Sequence, residues 1–566
     1  MAARASFLCA LLLASHCAFA ARIELPLRVS MDTLREALAD KLVYPEGRCT
    51  QLRLQAADGR LKLAAQCESV VGLRGNAEFI LAPQVDAAGR LGVRVVDSRL
   101  VDAQARALAV MWDLAKRQVH PRIEQYRYDL AAPRRDLSAL LRSATPPQHA
   151  AQMERALESL QVLDPRVEAA HVVVPVAFEA PDAWTAAPAP PAAAAPLTEA
   201  ELAALEKALE PLDAFLVHSI RSIARERADP ALRKRLFTLL LDTRYALVAV
   251  LAGDAPSADP VRSLFFDAWR ELRAILEEAG LRHAVFVDAG DALLALERAA
   301  PGLGVHLSAE GLRQLARSLA PAGSGADPLA YEWDDDPELR RLFDVEEIPP
   351  PPPGTSSLGA FIRAAEGAAR PLDRWVPSRD ELPEYEKRIG ELLKNAAVAE
   401  LARTALEPAY RPVYMHLVPT TALIESCWRQ YVVRGGKATY LRSQAGSVGI
   451  MQINQVVWRG FYDVQRLRWD TAYNVRAGTQ ILMRYVKDYA IPYAQKSGEP
   501  AHVPRAAYAV YNAGPRAAGR FDKPKPHPRE ARVDGKLREL YQGIASGRHA
   551  DLRTCGVRPA TGDPAG

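Results

Sequence analysis

Apolar and polar residues alternate through much of the first third of the chain. Ile23, Leu25, Leu27 and Val29 are separated by polar or small positions, which predicts a half-buried strand over 23–29. Similar runs at 51–56, 60–65, 77–81, 91–96 and 170–178 predict further strands, and Asp58-Gly59 between the second and third is a hairpin signal. Helical spacing fits 32–41, 102–117 and 149–161. Residues 22–178 are therefore expected to form an N-terminal α+β domain. From residue 197 the period changes to that of a helix, as Leu202, Leu205, Leu209 and Leu212 show. The most apolar stretch, 236–251, is interrupted by Asp242 and Arg244 and reads as a buried helix, not a membrane span. A central all-α helical domain is expected over 198–345, for positioning or binding, and a C-terminal, mostly helical domain over 358–550. Two linkers separate them. Residues 180–196 hold nine Ala and five Pro, which sets a Pro/Ala-rich linker at 179–197. A run of five prolines at 349–353 sets a polyproline linker at 346–357. Residues 551–566 read as a flexible tail.

The composition is ordinary for a multidomain globular chain: 566 residues, 49% hydrophobic and 25% charged. It excludes wholesale disorder, collagen and coiled coil. The net charge of +4 hides an asymmetry. Residues 401–566 carry 25 Lys+Arg against 12 Asp+Glu, or +13, and the remainder carries 47 against 56, or −9. A basic last third suggests a polyanionic partner. Residues 1–20 combine Arg4, an apolar run over 7–14 and Ala18-Phe19-Ala20, the layout of a signal peptide. An uncleaved anchor is the alternative, and Ala14-Ser15-His16 before Cys17 fits a lipoprotein signal poorly. The expectation is an exported periplasmic protein with no transmembrane segment after cleavage. Beyond the leader lie Cys49, Cys67, Cys427 and Cys555. With a three-residue loop at 57–59, Cys49 stands opposite Cys67, so a cross-strand disulfide is expected, with two buried thiols as the alternative. Cys427 with Cys555 is the remaining pair, by elimination only. No Cys/His cluster has zinc-site spacing and there is no His-Glu-x-x-His, so neither a metal nor another cofactor is expected.

The chemistry concentrates in 421–514. Glu425 follows Ala422-Leu423-Ile424 in a helical stretch, a candidate for a carboxyl whose pKa burial would raise toward neutrality. On its own it reads as a solvated helix glutamate. After it come Ser443-Gln444-Ala445-Gly446-Ser447-Val448-Gly449-Ile450-Met451-Gln452, Asn474-Val475-Arg476-Ala477-Gly478 and Ala509-Val510-Tyr511-Asn512-Ala513-Gly514. Together with Glu425-Ser426, these stretches, in this order, resemble the catalytic domain of the SLT-type lytic murein transglycosylases, over about residues 400–522. The resemblance implies a goose-lysozyme-like helical fold and cleavage of the β-1,4 bond between N-acetylmuramic acid and N-acetylglucosamine in peptidoglycan, leaving 1,6-anhydromuramoyl ends. It implies that Glu425 is the single acid and base, oriented by a hydrogen bond from Tyr511. It also implies that Ser443 and Gln452 hold the glycan, that Met451 packs at the site, and that Asn512 supports the Tyr511 loop. The implied partners are peptidoglycan glycan strands, with a cell-envelope protein as a further partner of the front domains and no nucleic acid.

Residue type leaves bland alternatives. Met451 also suits a core, and Trp428, Trp458 and Tyr440 suit either sugar stacking or packing. The competing enzyme is a goose-type muramidase, whose second carboxylate falls on Asn454 here; the next acids are Asp463 and Asp470, the latter a candidate helix cap. A catalytically silent wall-binding protein is the non-enzymatic rival. Two features depart from the family pattern. Glu425 and Ser443 are 18 residues apart, about twice the usual spacing, because of an insertion at 429–442 that suits a lid, a glycan contact or a plain surface loop. The usual Glu-Thr-x-x-Tyr after Pro515 is also replaced, by 529–542. Gly435-Gly436-Lys437-Ala438 lacks the first glycine and the hydroxyl residue of a phosphate loop.

Overall fold

The computed structural model describes residues 21–44, 47–69, 74–100, 106–187, 199–253, 259–281, 283–319, 327–331, 335–349, 370–548, 550 and 552–554. The leader at 1–20, much of both linkers, Cys555 and most of the tail lie outside the described residues, and so does the Cys427–Cys555 pairing. The architecture is a strand-rich N-terminal region, a helical middle and a helical last part. The chain divides into two compact units, Met1–Ala192 with Leu276–Gly325, and Ala193–Ile275 with Ala326–Gly566.

The first unit contains two antiparallel sheets. Strands β1 (Ala21–Ser30), β8 (Gln161–Val162), β9 (Arg166–Val167) and β10 (His171–Ala180) form one, with β1 along the full length of β10. Strands β2 (Val43–Tyr44), β3 (Gly47–Ala57), β4 (Arg60–Ser69), β5 (Arg74–Val85), β6 (Leu91–Leu100) and β7 (Arg127–Tyr128) form a meander in chain order. Helices α1 (Met31–Ala39), α2 (Arg106–Glu124), α3 (Ala131–Ser143), α4 (Ala150–Glu158) and α5 (Asp182–Thr185) complete this part.

Cys49 and Cys67 are bonded, directly opposite each other. The route to that register differs from the expected three-residue loop. Asp58 and Gly59, with φ of 49° and 71°, make a two-residue turn that pairs Ala57 with Arg60. Such a turn fits the strand twist. It would place the cysteines one position out of register. A bulge between Thr50 and Arg53, where Gln51 has φ 52°, absorbs one residue and restores the match.

The expected central domain over 198–345 is divided between the units. Its later helices, α9 (Ala284–Ala299) and α10 (Ala309–Arg317), belong with the sheets. Asp291 of α9 accepts from Arg28 of β1 at 2.6 Å, His306 N donates to Ala144 O at 2.8 Å, and Gly302 N donates to Trp184 O at 2.7 Å. These bonds pair a donor, Arg28, and two backbone acceptors, Ala144 O and Trp184 O, with groups of the later segment.

The second unit contains α6 (Glu199–Glu226), α7 (Pro230–Leu251) and α8 (Pro260–Glu278) up to Ile275, then α11 (Pro337–Leu342), α12 (Leu382–Arg403), α13 (Arg411–Ser426), α14 (Val464–Trp469), α15 (Thr471–Tyr485), α16 (Ile491–Ser497), α17 (Val503–Ala513) and α18 (Pro528–Ala545). Two short hairpins join it: β11 (Tyr431–Arg434) with β12 (Lys437–Tyr440), and β13 (Ser447–Val448) with β14 (Ile453–Asn454). Arg244, which interrupts the apolar run of α7, is fully buried. It donates to both carboxylate oxygens of Asp213 on α6 (2.7 and 3.1 Å) and to the carbonyls of Val457 and Arg459 (3.1 and 2.8 Å). Its buried cation is thus fully partnered. Arg244→Met takes from the buried Asp213 carboxylate its two short hydrogen bonds and leaves it the longer ion pair with Arg459 at 3.8 Å, so a loss of about 3–5 kcal/mol is expected, read by denaturant unfolding, with partial recovery when Asp213→Leu is added. Among the described residues no helix is long and apolar enough to cross a membrane, and no cluster of metal-ligating side chains occurs.

Candidate active site

Helix α13 starts beside Pro412 and buries Tyr414, Leu417, Val418, Thr421 and Ala422. It stops abruptly, because Cys427 and Trp428 both take left-handed backbone, with φ of 52° and 57°. Glu425 lies in the last turn. Ser426, its neighbour, is buried, and its hydroxyl donates to Ile450 O at 2.6 Å, tying the helix end to the turn at 449–452.

That turn is held from below by two buried amides. Asn474 of α15 accepts from Met451 N (2.9 Å) and donates to Val448 O (3.1 Å) and Leu467 O (2.9 Å). Gln430 accepts from Ile450 N (2.7 Å) and donates to Leu467 O (3.0 Å). Gly449 has φ 75°, and a Cβ there would run into both amides. Gly449→Ala is therefore expected to cost about 2–4 kcal/mol by combining backbone strain with overpacking, seen as a lowered melting temperature and lost turnover.

A cavity of about 250 Å³ sits above the turn, lined by Glu425, Ser443, Gln452, Asn454, Tyr511 and Asn512 among others. Glu425 is the one carboxyl among its lining residues. Desolvation pushes its pKa up to about 7, opposed by a hydrogen bond from Tyr508 and by the Arg520 guanidinium.

The expected hydrogen bond from Tyr511 is not formed. The Tyr511 hydroxyl donates to Met451 O at 2.6 Å, and it is the Tyr508 hydroxyl that donates to Glu425 Oε1, at 2.8 Å. The two tyrosines stand one turn apart on the same face of α17, so only the helix position decides which one reaches the carboxyl. Met451 is likewise corrected. Its side chain is fully buried against Gly478 and does not line the cavity. Ser443 lines the cavity, and its hydroxyl accepts from Ser447 N at 3.0 Å. Gln452, at φ 47°, lines it too and donates to Gly449 O at 2.8 Å. Asn512 lines it while its carbonyl accepts from Arg520 at 2.8 Å, and Arg520 is itself buried on Asp534 of α18 (2.9 Å). Helix α18, which replaces the usual Glu-Thr-x-x-Tyr segment, thus anchors the Asn512 side of the site.

The other carboxyls and aromatics fall outside the chemistry. Asp463 and Asp470 cap α14 and α15, accepting from Arg466 N (2.9 Å) and Tyr473 N (2.8 Å). Asn454 donates to Ala445 O (2.7 Å) and accepts from Val456 N (3.0 Å). Trp458 lines the cavity from inside an aromatic cluster with Phe237, Phe461 and Tyr485. Trp428 is buried, donating to Pro419 O (2.9 Å). The 429–442 insertion is the β11–β12 hairpin, turning at Gly435-Gly436. Its Tyr431 and Tyr440 pack on Trp469, and none of its residues lines the cavity.

Gln430, Tyr508 and Arg520 escaped the sequence reading. Tyr508 was findable, lying one helical turn before Tyr511. Tyr245 and Val248 of α7, which also line the cavity, carry no local signal.

No curated protein and no solved structure matches the chain. The transglycosylase SLT domain family matches residues 412–531, about a fifth of the sequence. That segment runs from the start of α13 into α18 and holds Glu425, the Gly449 turn with its Asn474 support, and the Tyr508–Asn512 helix end. Residues 412–531 thus match the transglycosylase SLT domain.

Proposed function

We propose that the protein is a lytic transglycosylase that cleaves the β-1,4 bond between N-acetylmuramic acid and N-acetylglucosamine in peptidoglycan. The observation that carries this reading is a single desolvated carboxyl, Glu425, poised near neutrality at a cavity with no second carboxyl in its lining. Glycosidases that use water or a covalent intermediate need a second carboxylate about 5–9.5 Å away. The next acids after Glu425 in the sequence, Asp463 and Asp470, are engaged as helix caps, and the muramidase base position is the structurally committed Asn454.

One carboxyl suffices if the nucleophile belongs to the substrate. Glu425, protonated, gives its proton to the glycosidic oxygen as the bond from the muramoyl C1 breaks. The resulting carboxylate takes the proton of the muramoyl C6 hydroxyl while O6 bonds to C1. The glycan leaves with a new hydroxyl, the muramoyl end closes as the 1,6-anhydro sugar, and Glu425 is protonated again. Tyr508 steadies the carboxylate form, which keeps the second half of the cycle accessible. Ser443, Gln452 and Asn512 offer hydroxyl and amide groups to the N-acetyl and ring substituents. The leader-like residues 1–20 support export to the periplasm, where this substrate lies, with the strand-rich unit as the part that meets the wall or an envelope protein.

Muropeptides released from purified murein sacculi test this by mass. Each end produced should be lighter by one water than the reducing end a muramidase leaves.

A further inference from the structure

The 429–442 insertion carries four cations, Arg429, Arg434, Lys437 and Arg442, and no acid. In the β11–β12 register Arg434 stands directly opposite Lys437, so both side chains leave the same face beside the Gly435-Gly436 turn. Like charges directly opposite each other on a strand pair are destabilising. Both side chains are exposed, and neither forms an ion pair among the described residues. The basic surface extends past the hairpin. Arg468 lies over the Tyr440 ring at 5.4 Å and Arg374 over the Trp469 ring at 5.2 Å. The carboxylates beside them in the sequence are committed elsewhere. Asp373 accepts from Thr471 N and Oγ1 at 2.9 and 2.8 Å, and Asp470 caps α15 and pairs with Arg466 at 3.5 Å.

The hairpin is tied to the site at its base. The Tyr431 hydroxyl donates to Trp469 O at 2.7 Å, Leu441 N to Gln430 O at 2.8 Å, and Gly449 N to Leu441 O at 2.9 Å. Arg442 immediately precedes Ser443 of the cavity lining. Arg468 Nε donates to Gln455 Oε1 (2.7 Å), and Gln455 Nε2 donates to Gly446 O (2.8 Å), between the lining residues Ala445 and Ser447. A polyanion held on this surface is therefore continuous with what enters the cavity. In peptidoglycan each N-acetylmuramic acid bears a short peptide with free carboxylates. Four extended residues reach up to about 14 Å, and the chain from Lys437 to Arg442 spans at most about 17 Å. Resting on the transglycosylase reading, we propose that the 429–442 hairpin is a docking arm for the peptide carboxylates of peptidoglycan, so that the protein prefers strands that keep their peptides over bare glycan. A carboxylate between Arg434 and Lys437 relieves their repulsion and accepts a charge-assisted hydrogen bond from each.

The test compares the full chain with its Arg434→Gln/Lys437→Gln variant on peptide-bearing glycan strands and on the same strands stripped of peptide. The readout is the ratio of kcat/KM for the two substrates. The wild type should favour peptide-bearing strands, and that ratio should fall roughly three- to tenfold in the variant, through KM, at an unlowered melting temperature. Raising the salt should erode the wild-type preference in the same way. No preference in the wild type, or the same ratio in both proteins, overturns the arm. Vesicles of phosphatidylcholine and phosphatidylglycerol in equal parts test the competing polyanion. If they bind the wild type and not the variant while the strand preference is unchanged, the hairpin meets a membrane and the proposal fails. If neither substrate gives any anhydro product, the transglycosylase reading itself fails, and binding decides the arm separately. Wild type pelleting with sacculi more strongly before peptide removal than after, with that difference lost in the variant, upholds the arm. Equal pelleting overturns it.

Discussion

Glu425→Gln is expected to abolish release of anhydro-muropeptides while making the protein more stable at neutral and alkaline pH. The first effect follows from its double duty. A general acid alone contributes about 10²–10⁴-fold, and here the same group must also return the proton, so a loss of at least about 10³-fold is expected. The second follows from the sign of the pKa shift. Burial raises the folded-state pKa to about 7 from an ordinary value of 4.5. Between these two pH values the folded protein holds a proton that the unfolded chain has released, so the wild type loses stability as pH rises through that window. Below it the glutamate and glutamine forms should melt alike. Above it Glu425→Gln should be more stable by up to about 3 kcal/mol. Paired melts at acid and alkaline pH check this, and equal differences at both would mean that Glu425 is not desolvated.

Exchanging the two tyrosines of α17 separates their roles. Tyr508→Phe removes a hydrogen bond that favours the carboxylate, so the Glu425 pKa rises further. The first step needs the protonated acid, so activity falls as pH rises through that pKa. In Tyr508→Phe that alkaline fall should move to higher pH. The rate should drop roughly ten- to hundredfold, the equivalent of about 1.5–3 kcal/mol for a bond to a charged group. Tyr511→Phe removes the donor to Met451 O and leaves that buried carbonyl without it. It should cost about 1–3 kcal/mol of stability and leave the pH limb where it is. A shifted limb in Tyr511→Phe and none in Tyr508→Phe would reinstate the arrangement expected from the motif.

The contrast between these tyrosines shows where the sequence stops being informative. Gly449, Asn474 and Gly478 were legible because close backbone approach and a buried amide each demand one residue type, and their spacing matched a known pattern. Asp470 was legible as a cap because capping is local. Tyr508 and Tyr511 share a face, and which one meets Glu425 depends on how far α17 slides along α13, which no local rule fixes. Met451 looked like a site residue because its neighbours are, although its own side chain points into the packing against Gly478. The Cys49–Cys67 pairing was reached through a three-residue loop that does not exist, because a bulge at Gln51 compensates for the shorter turn. The split of 198–345 was hidden since α7 and α9 have similar apolar helical patterns, and their partners are distant in sequence. Tyr245 was hidden for the same reason: it meets Tyr511 from 266 residues away.

The central claim is that one carboxyl and the substrate's own hydroxyl complete the reaction without water. Digestion of murein sacculi in heavy-oxygen water tests it most directly. The account predicts muramoyl ends that are anhydro and carry no solvent oxygen, produced by the wild type and absent with Glu425→Gln. Reducing ends bearing the heavy oxygen would contradict it and identify a hydrolase.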